Sequence, residues 1–244
     1  MKTLTCFGKG FHYSQDGPGN RLVIHLLGCN MRCPWCSNPE GMNATRHGSD
    51  VTVVTTDDLL DEIVSCKPMF FGGGGVTFTG GEATLQFDAL AELLGRLRAA
   101  GIHTAVETNA TNPRLPELFP RLSLLIADFK HPDGDTLRAV TGADISVIRD
   151  NLRVASEKLP LLVRIPLIHG FNDDESAQEG FLAFFRTMPD TDWQLELLPY
   201  HEYGREKWEK LGQTYTVKNG FVPPERVERI KNRFCAEGIR VTSS

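Results

Sequence analysis

Residues 21–28, Arg21-Leu-Val-Ile-His-Leu-Leu-Gly28, form a mostly aliphatic run that leads directly into Cys29-Asn-Met-Arg-Cys33-Pro-Trp-Cys36. A short apolar run that contains β-branched residues and ends at glycine is typical of a buried strand. This stretch therefore predicts a strand whose exit carries a loop with three cysteines.

Five further runs of the same kind follow, and amphipathic stretches separate them. The runs predict strands at 75–79, 102–107, 122–128, 161–167 and 193–199. The amphipathic stretches predict helices at 55–66, with Thr56 as N-cap, and at 85–99, 145–158, 175–187 and 224–237. Strands that alternate with helices favour parallel pairing, so the chain is predicted to be an α/β protein. Six such units suit a partial (β/α)₆ TIM-like barrel of parallel strands in a single domain over residues 1–244, and an open doubly wound sheet is the alternative.

Composition and charge argue against several classes of protein. The 244 residues carry 26 Lys and Arg against 31 Asp and Glu, a formal net charge of −5, whereas a general nucleic-acid binder is usually basic. No run approaches the ~18 apolar residues of a membrane helix, and the first residues lack the apolar stretch of a signal peptide. We therefore expect a cytoplasmic protein that binds neither nucleic acid nor membrane, and a monomer.

The cysteines are unevenly distributed along the chain. Cys29, Cys33 and Cys36 fall within eight residues, and clustered cysteines in a reducing compartment more often serve metals or catalysis than disulfides. Three soft thiolates suit three irons of one [4Fe–4S] cluster, which would leave the fourth iron open to a small molecule. Structural zinc would need a fourth ligand, and a non-catalytic zinc-binding module is one competing interpretation. The isolated thiols are expected to be buried in the core; they are Cys6, Cys66 and Cys235.

The remaining predicted strands also end in polar groups. In parallel α/β folds the chemistry lies at the carboxyl ends of the strands. The segments at these ends are Gly80-Gly81-Glu82, Glu107-Thr108-Asn109, Asp128-Phe129-Lys130 and Tyr200-His201, and the fifth strand carries Arg164. Because several independent loops share this property, we expect one functional site at that edge.

These segments together resemble a known family. The spacing C-x₃-C-x₂-C looks like the signature of the radical S-adenosylmethionine superfamily, and the surrounding residues resemble the activating enzymes of glycyl radical enzymes, above all the pyruvate formate-lyase type. The matching segments run in order from about residue 8 to residue 208. They are 16–21, 28–40, 73–77, 80–82, 107–109, 128–130 and 197–201, with Gly204 and Trp208.

The resemblance implies an oxidoreductase that works without oxygen. S-adenosylmethionine would bind the open iron through its amino and carboxylate groups, and the reduced cluster would cleave its carbon–sulfur bond. The resulting 5′-deoxyadenosyl radical would take a hydrogen atom from a glycine of a partner glycyl radical enzyme. The family further implies a flavodoxin or a ferredoxin as electron donor.

The resemblance also implies roles for individual residues. Cys29, Cys33 and Cys36 would hold the cluster. Residues that would contact S-adenosylmethionine are Trp35, Ser37, Asn38, Gly80, Gly81, Glu82, Glu107, Thr108, Asp128, Lys130 and His201. Asp16 and Arg164 are the catalytic candidates. Asp16 would lie by the glycine-bearing peptide, although Asp-Gly-Pro is also typical of a turn. Arg164 would face inward near the cofactor or the peptide, although a strand arginine also serves in structural ion pairs.

Some positions depart from the family's pattern. Glu107-Thr108 stands where the pyruvate formate-lyase type has Asp-Thr, whose acidic residue helps to hold a monovalent cation beside the cofactor's carboxylate. Glutamate is one methylene longer, so the sequence leaves this cation site open. Asn109-Ala110 and His169-Gly170 replace the usual Asn-Gly and Pro-Gly.

One departure concerns the stretch between Cys36 and Gly80. It contains only Cys66, so the ferredoxin-like insertion of many activating enzymes is not expected, and a single cluster follows. Asn38-Pro39-Glu40 nevertheless resembles the insertion-bearing members, so the sequence does not identify the partner enzyme.

The main alternative is a radical enzyme that acts on a small molecule, similar to 7-carboxy-7-deazaguanine synthase. Such an enzyme would share the cysteine loop and Gly-Gly-Glu. It would have less reason to carry Asp16-Gly-Pro-Gly or the segment from Tyr200 to Trp208, so the activating enzyme is favoured.

Overall fold

The structure, a computed structural model, describes residues 2–48 and 50–242. The strands are β1 Thr3–Tyr13, β2 Asn20–Leu26, β3 Thr52–Thr55, β4 Gly75–Gly80, β5 Thr104–Thr108, β6 Leu124–Asp128, β7 Leu161–Leu167, β8 Gln194–Pro199 and β9 Val241–Thr242. The α-helices are α1 Thr56–Ser65, α2 Phe87–Ala99, α3 Gly134–Thr141, α4 Ile145–Lys158, α5 Glu175–Phe185, α6 Arg205–Lys210 and α7 Pro224–Ala236. All six predicted strands are present, so the α/β class with mostly parallel strands is confirmed.

The chain divides into two compact units. The first comprises the residues up to Asn30, then Asn38–Thr108 and Arg114–Ile126. The second comprises Met31–Ser37, Asn109–Pro113 and the residues from Ala127 onward. The prediction of one domain without a ferredoxin-like insertion stays a prediction.

The first unit contains a sheet in the order β3–β1–β2–β4–β5. Strand β2 pairs in parallel with β4, from Arg21 opposite Gly75 to Leu26 opposite Gly80, so the two strands end together at one edge. Strand β1 is antiparallel to both β2 and β3, an arrangement the sequence did not predict. The cysteine loop and Gly-Gly-Glu therefore leave the sheet from neighbouring strands.

Helix α1 begins one residue earlier than the cap prediction required. The Oγ1 atom of Thr55, not of Thr56, accepts a hydrogen bond from the Asp58 N–H at 3.1 Å. The Thr56 side chain is buried and donates to Glu92 at 2.9 Å. Thr56 as N-cap is therefore wrong, because its hydroxyl is used by a tertiary contact with α2.

The second unit has parallel pairing of β7 with β8 and of β8 with β9. Its core is aromatic: the Phe129 ring lies 5.2 Å from Phe181 and 4.9 Å from Phe184 of α5. Edge-on aromatic pairs of this kind stabilise by about 0.5–1.5 kcal/mol beyond the burial of their area. Because Phe129 stands between Asp128 and Lys130, this core anchors the exit of β6.

Two further sequence predictions can be compared with the structure. Burial raises the pKa of the Cys6 thiol to about 11, as expected for a core cysteine, but Cys66 is half-buried and Cys235 is exposed. The prediction of a buried core thiol is therefore wrong for Cys235 and also for Cys66, which is only half-buried. None of the helices within residues 2–48 and 50–242 has the length and apolar character needed to cross a membrane.

Candidate functional site

The exit of β2, in the first unit, is fixed by backbone hydrogen bonds. The N–H groups of Gly28 and Cys29 donate to the carbonyls of Gly41 at 2.8 Å and Met42 at 3.2 Å. Asn38 precedes the 3-10 turn Pro39–Gly41, and its carbonyl accepts from the Gly41 N–H at 3.0 Å. The backbone at Cys29 is therefore held in place by hydrogen bonds to Gly41 and Met42.

Gly80 and Gly81 let the exit of β4 approach the exit of β2. Gly80 has φ of +121°, a region that favours glycine. A side chain on Gly81 would place its Cβ 2.2 Å from the Gly28 carbonyl oxygen. The Gly81 and Glu82 N–H groups donate to Leu26 at 2.9 Å and Gly28 at 2.7 Å. The fold itself therefore requires the two glycines, in addition to any role toward a ligand.

Glu82 is buried and connects two strand exits. One carboxylate oxygen, Oε1, accepts from the Thr84 N–H at 3.0 Å, the Thr84 hydroxyl at 2.6 Å and the Thr108 hydroxyl at 2.7 Å. Near the ends of the same two strands, β4 and β5, the Thr79 hydroxyl donates to Glu107 Oε2 at 2.9 Å. The structure thus brings Glu82 and Thr108 together, and places two acidic side chains at the ends of β4 and β5.

Asp16 belongs to the turn before β2, and its backbone contacts the middle of β4. The contacted residue, Thr77, lies three positions before Gly80 at the exit of β4, or about 10 Å along the strand. The Asp16 carboxylate contacts His12 Nδ1 at 2.6 Å, and its carbonyl accepts from Thr77 Oγ1 at 2.7 Å. The wholly buried Arg21 donates from Nε to the same Thr77 oxygen at 2.8 Å. Sequence reasoning missed this network, which holds the Asp16 turn against the sheet.

The same network contains a histidine that is neutral in the folded chain. Burial and the charge of Arg21 lower the pKa of His103 from 6.5 to about 4, and the two side chains meet at 3.2 Å. Between these pH values the unfolded chain binds a proton that the folded chain does not bind. The contribution of His103 to the free energy of unfolding is therefore fully present above about pH 6.5, and it is lost as the pH falls toward 4.

We predict that His103→Gln removes part of this pH dependence. In the original protein, this histidine is expected to lower the free energy of unfolding by at most about 2 kcal/mol between pH 7 and pH 4.5, because the half-buried ring is partly screened by solvent. Urea unfolding at several pH values measures it, and His47→Gln, at an exposed position, serves as the control. An unchanged pH dependence in His103→Gln would contradict the assignment.

In the second unit, the other two cysteines of the triplet lie on one turn. The Cys36 N–H donates to the Cys33 carbonyl at 3.1 Å, and none of the three cysteines of the triplet is in a disulfide. The Trp35 ring between them packs 4.6 Å from Phe171, which in turn lies 4.9 Å from His131. Sequence reasoning missed Phe171 and His131, which give the predicted adenine-packing tryptophan a fixed aromatic neighbour.

The cysteine triplet offers the soft sulfur donors that an iron–sulfur cluster binds. Among residues 2–48 and 50–242, no group of three or more His, Cys, Asp or Glu side chains is arranged to hold one metal ion. The thiolates of a cluster bind different irons, so they need not converge on one point. Three sulfur donors within eight residues suit such a cluster.

Asp128 and Lys130 form an ion pair at the exit of β6. The Lys130 carbonyl accepts from Asn172 Nδ2 at 2.8 Å, and the same amide nitrogen donates to the Pro166 carbonyl at 2.7 Å. Asn172 Oδ1 accepts from the Ile168 N–H at 2.8 Å. The wholly buried Asn172 therefore ties the exits of β6 and β7 together, and sequence reasoning missed it.

Arg164 has a buried partner on the next strand. Its Nε lies 2.6 Å from Glu196 Oε2, and the two side chains are 6% and 2% exposed. Removing one partner of such a pair leaves an uncompensated buried charge, which costs about 3–5 kcal/mol. Glu196 is thus the partner in the structural ion pair considered for Arg164, while a catalytic role of Arg164 stays a prediction.

His201 follows β8 and is covered by Tyr203. The two rings stack at 4.1 Å with an interplanar angle of 23°, and the Tyr203 N–H donates to His201 Nδ1 at 3.4 Å. Burial lowers the pKa of His201 below its usual value. The ring is therefore neutral at neutral pH, with its proton on Nε2.

Comparisons with known proteins agree with this arrangement. The family model described as Radical SAM superfamily matches residues 23–178. The pyruvate formate-lyase-activating enzyme of Staphylococcus epidermidis is 33% identical over 229 residues, which cover 90% of this chain and 89% of that protein. That of Staphylococcus aureus strain USA300 is 32% identical and covers 90% of each chain.

Two solved structures are also similar to this chain. A domain of pyruvate-formate lyase-activating enzyme from Bacteroides vulgatus is 29% identical with a TM-score of 0.59, covering 70% of this chain and 99% of that chain. A radical SAM methyltransferase from Sphaerobacter thermophilus has a TM-score of 0.68 at 15% identity, covering 100% of this chain and 76% of that one. This second likeness shows the fold alone, and it agrees with the partial barrel predicted from the sequence. With these matches over most of its length, the chain belongs to the radical S-adenosylmethionine superfamily and, within it, to the activating enzymes of glycyl radical enzymes.

Proposed function

We propose that Cys29, Cys33 and Cys36 hold one [4Fe–4S] cluster, and that S-adenosylmethionine bound at its open iron serves to create a glycyl radical in a partner enzyme. The observation that carries this proposal is the cysteine triplet at the exit of β2, with its spacing and its lack of disulfides. When bound, the cluster and cofactor supply one-electron cleavage of a carbon–sulfur bond and a carbon radical able to take a hydrogen atom.

The chain's own charges would orient the cofactor. Lys130 offers a compact ammonium charge to the cofactor's carboxylate, and Asp128, its ion-pair partner, accepts from the ribose hydroxyls. The carbonyls of Gly80 and Gly81 accept from the cofactor's ammonium group, while Glu82 offsets its charge. Each of these groups is held by the contacts described above, so little ordering is needed on binding.

Two rings and two small polar residues would complete the cofactor site. His201 donates from Nε2 to the adenosyl group, since its Nδ1 accepts from Tyr203. Trp35 packs against the adenine, with Ser37 and Asn38 beside it. Glu107 and Thr108 would serve the cofactor's carboxylate region, where Glu107 is the proposed ligand of a monovalent cation.

Asp16 and Arg164 would serve the protein substrate. Asp16 contacts Thr77 in the middle of β4 and not the exit of that strand, which supports a contact with the partner's glycine-bearing segment over one with the cofactor. Pyruvate formate-lyase is the first partner to test, because the relatives are named for activating it. A flavodoxin or ferredoxin as electron donor, a monomeric state and a cytoplasmic location complete the proposal.

The test uses the whole protein, reconstituted anaerobically with iron and sulfide. We expect a brown protein with about four irons per chain, formation of 5′-deoxyadenosine, and a glycyl radical signal in electron paramagnetic resonance once pyruvate formate-lyase and a reductant are present. A colourless zinc protein would contradict the cluster. Turnover with small heterocycles, and none with any glycine-loop peptide, would favour the deazaguanine-type alternative.

A further inference from the structure

The segment after β8 holds the backbone of the third cysteine. Trp208 Nε1 donates to the Cys36 carbonyl oxygen at 2.9 Å, across 172 positions of sequence. A side chain on Gly204 would place its Cβ 2.3 Å from the same oxygen and 2.9 Å from Ser37 Cα. We call Gly204 and Trp208 together the Cys36 clamp.

A chain of contacts holds Trp208 in turn. Its ring meets Tyr215 edge-on at 6.0 Å, and the Tyr215 and Tyr200 hydroxyls lie 2.9 Å apart. Tyr200 is buried, and its hydroxyl donates to Glu202 Oε1 at 3.2 Å. Burial raises the pKa of both tyrosines, so these hydroxyls keep their protons at neutral pH. The clamp is therefore attached to the residue that precedes His201.

We propose that Gly204 and Trp208 are positioning residues that place Cys36 for cluster binding. The indole bond and the close approach at Gly204 fix the Cys36–Ser37 peptide, and this peptide sets the direction of the Cys36 side chain. Contacts that orient a metal ligand from outside typically change metal affinity by about 10–100-fold when they are lost. This inference rests on the proposed function of the triplet.

Trp208→Phe tests the hydrogen bond, because it keeps a ring and removes the N–H. In the reconstituted protein, a chelator is expected to remove iron about tenfold faster than from the original. The reduced cluster's electron paramagnetic resonance spectrum should also change in shape, which a loss of overall stability would not produce. Trp193→Phe is the matched control, since Trp193 Nε1 also donates to a carbonyl, that of Pro189 at 3.1 Å.

Gly204→Ala tests the close approach. The added methyl group cannot share space with the Cys36 carbonyl, so the cysteine loop must shift, and we expect fewer irons per chain after reconstitution. Gly95→Ala is its control, because a Cβ there meets its nearest neighbour, Arg121, at 3.7 Å. Thermal melting of all four variants without iron checks that each one folds.

A further experiment measures cysteine alkylation in protein without the cluster. In iron-free protein, Trp208→Phe should speed alkylation of Cys36 about fivefold relative to Cys29, as the loss of one hydrogen bond allows. Equal alkylation, or equal iron loss and spectra in Trp208→Phe and Trp193→Phe, would overturn the clamp. If the original protein binds no cluster, the proposed function fails, whereas the alkylation comparison still decides whether the clamp positions Cys36.

Discussion

Replacing Cys33 by alanine is expected to abolish both cluster assembly and cleavage of S-adenosylmethionine. With one of three thiolates gone, two sulfur donors remain in the loop, and the described part of the chain offers no cysteine of matching spacing to replace it. Iron and sulfide content, visible absorbance and 5′-deoxyadenosine formation should all fall to background, a loss of at least about 1,000-fold in cleavage, or about 4 kcal/mol.

The matched control is Cys235→Ala, which removes an exposed thiol outside the triplet. It should bind four irons and cleave the cofactor as the original does. Cys33 is buried, so thermal melting of the iron-free variant must show that it still folds. Full cleavage activity in a folded Cys33→Ala would discard the assignment of the triplet.

Replacing Asp16 by alanine is expected to separate the two halves of the reaction. Uncoupled cleavage of S-adenosylmethionine should stay within about twofold, while glycyl radical formation in the partner should fall at least about tenfold, or 1.4 kcal/mol. The reason is position: the Asp16 turn contacts Thr77 in the middle of β4, whereas the proposed cofactor-binding residue Glu82 follows that strand. Its backbone carbonyl, which accepts from Thr77, is kept in the variant, so the turn should hold.

The measurement compares 5′-deoxyadenosine without partner and radical signal with partner, on the same preparations. Asp61→Ala, which removes an exposed carboxylate from α1 in the same unit, should change neither quantity. His12→Gln tests the contact that orients the Asp16 side chain and should weaken radical formation to a smaller degree. Equal loss of cleavage and radical formation in Asp16→Ala would refute a role on the partner's side.

The sequence predicted the parallel strands well, because their residues are apolar on both faces. Strand β7 and helix α4 have the predicted ends, and the other five predicted strands differ at their ends by one or two residues. Strand β1 escaped prediction because its second half has no buried residue and it contains two glycines, which weaken a strand pattern. Helix α6 escaped because it is six residues long and has no buried residue to give a helical pattern.

The candidate site was predicted by motif, whereas its supporting contacts were not. Glu82 with Thr108, Arg164 with Glu196, and Trp208 with Cys36 are separated by 26, 32 and 172 positions. Pairs so distant in sequence are brought together by strand register and loop path, which residue spacing does not encode. The site residues proposed from the sequence stay predictions, and the structure shows what contacts several of them.

Ala110 has a backbone φ of +58°, is wholly buried, and its carbonyl accepts from Asn151 Nδ2 at 2.9 Å. An alanine in this left-handed conformation costs roughly 1–2 kcal/mol relative to a relaxed one, and glycine avoids that cost. This backbone geometry suits the Asn-Gly that the family resemblance led us to expect at positions 109 and 110. In directed evolution of this protein for heat tolerance, Ala110→Gly would remove a buried methyl group and relieve the strained turn.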